Sequence, residues 1–256
     1  MQTHSKQKVA VITGGLSGIG LSSAHLLVMK GWRVVQADIR ADLVPPEITD
    51  ATNMFAYKTD ITDIQSIKML FQFVENNFGR LDFLMTCAGV HSGKSIEQTT
   101  EEDYHKLLDV NAHGTFMCIR EASKLLKATV GSSILTISSD NGLDGDADAP
   151  LYCATKHFIV GLTKSLTLNY KKSGVRVNCL CPGPVDTPFL RNACGNDENI
   201  ITTTAQSNPL GRLIEPDEIA QVVALLAENQ ALNGCIWNMD GGANFNGGNT
   251  EPPKVK

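Results

Sequence analysis

The sequence predicts a single α/β domain built on a doubly wound parallel sheet of about seven strands, with helices on both faces. Short β-branched runs alternate with longer segments of helical period along the 256 residues. The runs are continuously apolar, as in strands covered on both faces, rather than alternately apolar and polar. No linker rich in Pro, Ser or Gly divides the pattern, so one domain over residues 1–256 is expected.

The individual elements follow from this alternation. The predicted strands, each a short and mainly apolar run, cover 9–12, 33–37, 54–57, 81–85, 133–137, 175–180 and 235–239. The predicted helices between them cover 19–30, 64–77, 101–128, 151–172 and 216–229. Thr62-Asp63 can cap the second helix, Gly31 and Gly79 suit the ends of the first and second, and Pro216 suits the first turn of the last. The ends of the chain, about 1–7 and 246–256, are expected to be loosely ordered.

Composition excludes several classes of function. The chain carries 22 basic and 27 acidic residues, and the basic residues form no stripe, so no nucleic-acid partner is expected. The start of the chain is polar and no segment is long and apolar enough to span a bilayer, so we expect a cytoplasmic protein without a membrane partner. The seven cysteines are odd in number and scattered, which is typical of reduced thiols. No metal site is expected, because the six histidines have no ligand-like spacing.

A glycine-rich turn joins the first predicted strand to the first predicted helix. It reads Thr13-Gly14-Gly15-Leu16-Ser17-Gly18-Ile19-Gly20. Gly14 permits a tight turn, Gly18 lets the backbone approach a pyrophosphate, and Gly20 allows close packing of helix on strand. The phosphates would then lie at the positive N-terminus of the helix. This Rossmann-type arrangement predicts a dinucleotide site that also includes Ser17 and Ile19.

Asp38 ends the second predicted strand, eighteen residues after Gly20. A carboxylate at that place accepts hydrogen bonds from the adenosine ribose and repels a 2′-phosphate, so NAD is the expected cofactor. Arg40, two residues further on, argues in the opposite direction, toward NADP.

Tyr152 and Lys156 are four residues apart in a predicted helix, so their side chains share one face. Of the four tyrosines, only Tyr152 has a lysine at that offset. A phenol titrates near pH ~10 in water, and a neighbouring ammonium group lowers that pKa. The pair is therefore able to handle a proton, although in isolation this spacing is more typical of a surface pair.

With Ser139 thirteen residues before Tyr152, and with the glycine spacing G-x-x-x-G-x-G, the sequence resembles the short-chain dehydrogenase/reductase family over nearly its whole length. The resemblance implies hydride transfer between NAD(H) and a small secondary alcohol or ketone. Tyr152 would be the general acid/base, and Ser139 would bind the reacting oxygen. Lys156 would also hold the nicotinamide ribose, and Asn111 would position a water for proton relay. The resemblance further implies a homo-oligomer, either a tetramer or a dimer.

Three further segments match the family's cofactor site. They contribute Asp60 and Ile61 beside the adenine, Cys87, Ala88 and Gly89 beside the adenosine ribose, and Pro182, Gly183, Val185 and Thr187 facing the nicotinamide. Cys87 departs from the family pattern, since it replaces an asparagine that helps to tie the central sheet together. This departure concerns local stability rather than the assignment of the cofactor.

Two stretches are expected to shape the substrate pocket. One is 140–150, where Asp144, Asp146 and Asp148 are compatible with a solvated acidic loop or with binding of a polyol or cation. The other is 189–210, a polar substrate-loop insertion that we expect to form a mobile lid. His91 fits either the pocket or a plain loop. The substrate itself does not follow from these residues.

The leading hypothesis is an NAD-dependent secondary-alcohol dehydrogenase. An NADPH-dependent reductase of the 3-ketoacyl type is the second enzymatic alternative, and strong use of NADPH would favour it. A nucleotide-binding sensor or scaffold without turnover is the alternative from another class. The complete set Asn111, Ser139, Tyr152 and Lys156 argues against that last alternative.

Overall fold

A computed structural model of the chain describes residues 7–42 and 53–246. Seven strands lie within them: β1 (Val9–Thr13), β2 (Arg33–Asp38), β3 (Met54–Lys58), β4 (Phe83–Thr86), β5 (Ser133–Ile137), β6 (Arg176–Pro182) and β7 (Ile236–Met239). They form one sheet in the order β3-β2-β1-β4-β5-β6-β7, and every neighbouring pair is parallel. The predicted parallel sheet is confirmed. Its strand order reverses between β1 and β4, where sheets of this kind bind their ligands.

The helices lie on both faces of the sheet. Their bounds are α1 (Gly18–Met29), α2 (Ile64–Phe78), α3 (Glu101–Leu107), α4 (Thr115–Ala128), α5 (Pro150–Asn169), α6 (Pro188–Ala193), α7 (Glu198–Ser207) and α8 (Pro216–Glu228). The ends predicted for α2 are confirmed, because the Asp63 side chain accepts a hydrogen bond from the Gln65 amide and Gly79 adopts the left-handed conformation.

The strands are buried on both sides, so each supplies two hydrophobic layers. Val9 and Val11 of β1 pack with α2 and α4 on one face. Ala10 and Ile12 of the same strand pack with α1 and α8 on the other. This is the reason for the continuous apolar runs in the sequence.

Two predictions about helices were wrong. The expected single helix over 101–128 contains a π-helical turn, Leu108–Gly114, between α3 and α4. The expected irregular lid over 189–210 contains the helices α6 and α7 instead. Helix α6 begins where Thr187 accepts a hydrogen bond from the Leu190 amide and Pro188 occupies the first turn, which is a local helix-start signal. Mobility of this segment stays a prediction.

Smaller differences concern boundaries. Strand β4 begins at Phe83 rather than at 81, and β6 continues to Pro182 because its last residues still pair with β7. Ser139 and Asp60 follow the ends of β5 and β3 by two residues. The predicted loose ends, about 1–7 and 246–256, lie outside the described residues except for their innermost positions.

Arg176 at the start of β6 ties the sheet to the end of α8. Its guanidinium donates hydrogen bonds of 2.9 Å to the carbonyls of Leu226, Ala227 and Leu232. The side chain is buried, and burial lowers the pKa of Arg176. The cation therefore satisfies carbonyls at a helix C-terminus, where positive charge is favoured.

We expect Arg176→Met to lower the free energy of unfolding by about 3 kcal/mol, because three buried carbonyls lose a charged donor. Urea unfolding followed by circular dichroism measures this difference. Arg120→Met is the matched control, since Arg120 is exposed and pairs with its neighbour Glu121. The control should change stability by less than about 1 kcal/mol, and equal losses in both variants would contradict the role given to Arg176.

Candidate active site

A cleft of about 630 Å³ opens at the carboxyl ends of the central strands. The predicted residues that line it are Gly14, Ser17, Gly18, Ile19, Asp38, Asp60, Ile61, Cys87, Ala88, Gly89, Ser139, Tyr152, Lys156, Pro182, Gly183, Val185 and Thr187. Gly20 and Asn111 lie behind the cleft wall rather than in it. The structure therefore brings together nearly all of the residues that the sequence singled out, from segments more than 170 residues apart.

The glycine turn between β1 and α1 has the geometry its sequence predicts. Gly14 has φ of 68°, and a side chain there would approach the Ala88 backbone to 2.9 Å. Gly18 has φ of 50°, and a side chain would meet Thr187. Gly20 packs against the backbone of Gly14, leaving no room for a Cβ atom. Larger residues at these positions would both strain the turn and fill the space beside it.

The N-terminus of α1 fits the pyrophosphate of a dinucleotide. Ser17 is the N-cap residue, and its side chain does not cap the first-turn amides. The first turn contains no acidic residue. The first residues of the helix and the positive end of the helix dipole thus lie at the cleft, which is the arrangement that binds phosphate.

Cys87 lies at the junction of the turn with β4. The amides of Cys87 and Ala88 donate hydrogen bonds of 3.1 and 3.2 Å to the Thr13 hydroxyl. Thr13 thus links the ends of β1 and β4 through backbone groups that do not depend on the side chain at position 87. Burial raises the pKa of the Cys87 thiol to about 11, so it is protonated at neutral pH.

Asp38 lines the cleft at the end of β2, and its carboxylate accepts hydrogen bonds from protein donors. One oxygen accepts from the amide and Nε of Arg40 at 3.0 and 2.9 Å. The other accepts from Nη2 of Arg40 at 2.8 Å and from the Leu16 amide at 3.2 Å. Burial alone would raise the pKa of Asp38, but these bonds outweigh it and hold the pKa below its ordinary value. Arg40 also donates to the Ser17 hydroxyl at 2.9 Å, so it spans the cleft edge.

Asp60 and Ile61 line the cleft after strand β3. Asp60 accepts hydrogen bonds from the Thr62 amide and hydroxyl at 2.9 and 2.7 Å. Ile61 packs against Gly114, where a side chain would collide with it. These contacts hold the turn after β3 against the π-helical turn.

Tyr152 and Lys156 project from α5 into the cleft, as their spacing predicts. Nζ of Lys156 lies 5.5 Å from the centre of the Tyr152 ring and donates to the Ile137 carbonyl at 3.2 Å. Burial raises the pKa of Tyr152 and lowers the pKa of Lys156. The expectation of a lowered pKa for Tyr152 is therefore wrong, because loss of solvent outweighs the hydrogen bond with Ser139.

Ser139 is the serine that faces Tyr152, in agreement with the thirteen-residue spacing. It lies within hydrogen-bonding reach of Tyr152. Its hydroxyl donates to Asp140 Oδ1 at 2.6 Å. The hydroxyl of Ser138 is directed elsewhere, to the Lys156 carbonyl at 2.8 Å.

Asn111 owes its position to the π-helical turn. Its amide exchanges two hydrogen bonds of 2.9 Å with the backbone of Val90 and donates to Thr155 at 3.1 Å. A side chain at Gly89 would approach both Asn111 Oδ1 and Lys156 Nζ, at 3.3 and 3.7 Å. Asn111 thus supports the floor of the cleft close to the lysine. The extra residue in the helical turn re-aims its side chain, as π-helical turns do at many functional sites.

Near the nicotinamide segment, Gly183 lies against the backbone of Asp240. The Thr187 hydroxyl caps α6. Val185 pairs as an isolated bridge with Ile214. These three residues therefore line the cleft on a segment that is anchored at both ends.

The substrate end contains side chains that sequence reasoning had left open or missed. His91 packs edge-on against Tyr152 with ring centres 4.6 Å apart, and Phe189 lies 6.2 Å from His91. Burial lowers the pKa of His91, so the neutral imidazole is favoured. Asn141 and Asp146 also line the cleft. Position in the sequence could have identified His91, Asn141 and Asp146, because they follow strands β4 and β5 at the edge of the sheet where ligands bind.

The described residues also bear on metal binding and on membrane insertion. Among the described residues, no group of three or more His, Cys, Asp and Glu side chains has an arrangement suited to a metal ion. In the same part of the chain, no helix has the length and apolar character needed to cross a membrane.

Comparison with known proteins agrees with this geometry. The sequence model of a family described as "Enoyl-(Acyl carrier protein) reductase" matches residues 14–244. Cis-4-hydroxycyclohexanecarboxylate dehydrogenase of Sinomonas cyclohexanicum is 34% identical over 242 residues, covering 92% of this chain and 96% of that protein. Meso-2,3-butanediol dehydrogenase of Serratia marcescens is 33% identical over 252 residues, covering 97% and 98%.

A solved structure gives the same result for the fold. Ligand-free aldohexose dehydrogenase of Thermoplasma acidophilum superposes with a TM-score of 0.83 at 28% identity, covering 94% of this chain and 95% of that one. Family match, relatives and fold agree over nearly the whole length. The chain therefore belongs to the short-chain dehydrogenase/reductase family and is an oxidoreductase with a nicotinamide dinucleotide site.

Proposed function

We propose that this protein is an NAD-dependent dehydrogenase of secondary alcohols, in which Tyr152 is the general acid/base. The observation that carries the proposal is the arrangement of one continuous cleft. Ser139, Tyr152 and Lys156 lie at one end, and Asp38 with the N-terminus of α1 lies at the other. The cleft thus holds a proton-transfer group within reach of a ligand bound along a dinucleotide site.

The chemistry requires two transfers from one alcohol. The carbon loses a hydride, which is a proton and two electrons, and the hydroxyl loses a proton, so that a C=O double bond forms. Bound nicotinamide supplies the hydride acceptor. Tyr152 takes the hydroxyl proton as phenolate, and Ser139 holds the reacting oxygen by a hydrogen bond. In the reduction of a ketone, Tyr152 returns the proton.

Lys156 and Asn111 support Tyr152 in this proposal. The Lys156 ammonium is buried beside the phenol, so its charge acts with little screening on the phenolate that forms. Asn111 holds the Val90 backbone and lies close to Lys156, which suits a group that orders a water near the ammonium.

The choice of NAD rests on Asp38, whose carboxylate is placed for ribose hydroxyls and repels a 2′-phosphate. One observation favours NADPH-dependent ketone reduction as the second candidate. Arg40 neutralises Asp38 and reaches Ser17, so its guanidinium could bind a 2′-phosphate instead. For assembly we propose a homo-oligomer, supported by the exposed apolar side chains Phe116 of α4 and Phe158 of α5.

A direct test is incubation of the purified protein with NAD and a panel of secondary alcohols, following NADH absorbance. The panel contains polyols, hydroxy acids, cyclic alcohols and steroids, and a parallel series contains the ketones with NADH or NADPH. NAD reduction by at least one alcohol class supports the proposal. Ketone reduction with NADPH alone would favour the second candidate. Dinucleotide binding without turnover in either series would contradict both.

A further inference from the structure

Asp140 lies at the substrate end of the cleft, directly after Ser139, and the proposed reaction does not use it. Its Oδ1 accepts hydrogen bonds from the Ser139 hydroxyl at 2.6 Å and from the Asn141 amide at 2.8 Å. Its Oδ2 accepts none from the part of the chain that the structure describes. One carboxylate oxygen beside the reacting group is thus left for a ligand.

The neighbouring acidic side chains do not offer the same acceptor. Asp146 is occupied on both oxygens, by the Asp148 amide at 2.9 Å and by Nδ2 of Asn141 at 3.0 Å. The side chains of Asp144 and Asp148 are exposed. Asp140 and Asp146 are both half-buried and line the cleft, but of the two only Asp140 has a carboxylate oxygen without a hydrogen bond from the described residues.

The position of Asp140 relative to Ser139 defines which ligand atom would reach it. Ser139 contacts the reacting oxygen in the proposed reaction, and the Asp140 carboxylate lies one hydrogen bond beyond it. Two hydroxyl oxygens on adjacent carbons are separated by about a hydrogen-bond length of ~2.8 Å. A hydroxyl next to the reacting carbon would therefore lie beside the carboxylate. The rings of His91 and Phe189 flank the carbon skeleton on the other side.

We propose that Asp140 determines specificity by accepting a hydrogen bond from a second hydroxyl adjacent to the reacting carbon, so that the substrates are vicinal diols or polyols. This inference rests on the proposed function. A 2-hydroxy acid would bring a carboxylate to the same place and be repelled by Asp140. A simple alcohol would shield the half-buried Asp140 carboxylate from water without offering its free oxygen a donor, which disfavours its binding.

The surroundings of Asp140 make its hydrogen bonding depend on pH. Burial, and then the carboxylates of Asp240 and Asp146, raise the pKa of Asp140 above its ordinary value. Tyr152 and Cys153 face it from α5 and are neutral at neutral pH, because burial raises the pKa of each. A protonated Asp140 is a weaker acceptor. Preference for a diol should therefore fall as the pH is lowered, starting at a higher pH than for an ordinary aspartate.

The test compares kcat/KM with NAD for meso-2,3-butanediol, 2-butanol and lactate, and for cyclohexane-1,2-diol and cyclohexanol as a second size class. We expect wild type to prefer each diol over its mono-alcohol by about tenfold or more, mainly through KM, and to use lactate least. Asp140→Ala should reduce the ratio to near one, and Asp140→Asn should give an intermediate ratio. Asp144→Asn, an exposed charge change on the same loop, should retain the wild-type ratio.

The ratio is the decisive quantity, because it separates recognition of the second hydroxyl from a general disturbance of Ser139. Equal losses for diol and mono-alcohol in Asp140→Ala would overturn the inference, as would a wild-type preference for mono-alcohols or lactate. The wild-type ratio should fall at acid pH and stay flat in Asp140→Ala. A flat wild-type ratio would also count against Asp140.

A binding measurement distinguishes this failure from failure of the proposed function. Calorimetry with Tyr152→Phe and saturating NAD measures affinity for meso-2,3-butanediol and 2-butanol without turnover. A diol preference that disappears when Asp140→Ala is added supports the role of Asp140, even if wild type oxidises neither alcohol and the proposed reaction is wrong. Absence of any diol preference in binding overturns the inference, even if both alcohols are oxidised.

Discussion

We expect Tyr152→Phe to lower kcat/KM for alcohol oxidation by about a thousandfold, because the variant lacks the group that takes the hydroxyl proton. Tyr152 is 6% exposed, and phenylalanine retains the ring that packs against His91. The change therefore removes the chemistry with little effect on packing. NADH formation measures activity, and the affinity for NAD, measured by calorimetry, should be nearly unchanged.

The matched control is Tyr104→Phe, which removes a hydroxyl from an exposed tyrosine on α3 and should leave activity unchanged. Retention of more than about a tenth of the activity in Tyr152→Phe would contradict its assignment as the base. The pH profile gives an independent check. Because the pKa of Tyr152 is raised, the phenolate fraction grows with pH, and wild-type oxidation should rise through the alkaline range.

Asp38→Asn is expected to shift cofactor preference toward NADP by about a hundredfold, measured as the ratio of kcat/KM for NADP to that for NAD. Two effects act in the same direction. The variant no longer repels a 2′-phosphate, and it releases Arg40, whose guanidinium lies at the same edge of the cleft, to pair with that phosphate. Direct titration with both dinucleotides should show the same change in their dissociation constants.

Asp42→Asn is the control for this experiment, because Asp42 carries the same charge on the same segment and its side chain is exposed. It should leave the ratio unchanged. Arg40→Ala should weaken NADP binding while NAD binding is retained, since Asp38 then faces the ribose without a competing cation. An unchanged ratio in Asp38→Asn would show that cofactor choice depends on other residues.

Local patterns in the sequence were sufficient for the sheet, the dinucleotide turn and the pairing of Tyr152 with Lys156. Each depends on residues close together in the chain. The continuous apolar runs identify strands buried on both faces, the glycines identify a tight strand-to-helix turn, and a spacing of four places two side chains on one helix face. The helices α6 and α7 were missed although Thr187 and Pro188 carry a helix-start signal, because the surrounding residues are polar.

Tertiary structure decided the properties that arise between distant segments. A π-helical turn, which no pattern in the sequence predicts, directs the side chain of Asn111 toward Val90. The pKa of Tyr152 is raised because burial, which comes from the whole fold, outweighs the hydrogen bond with Ser139. By itself, the sequence determined the fold and the residue types of the cleft, since these follow from periodicity and short spacings. Burial and contacts between distant segments decided the pKa values of those residues. They also decided which hydrogen-bond acceptor remains open to a substrate.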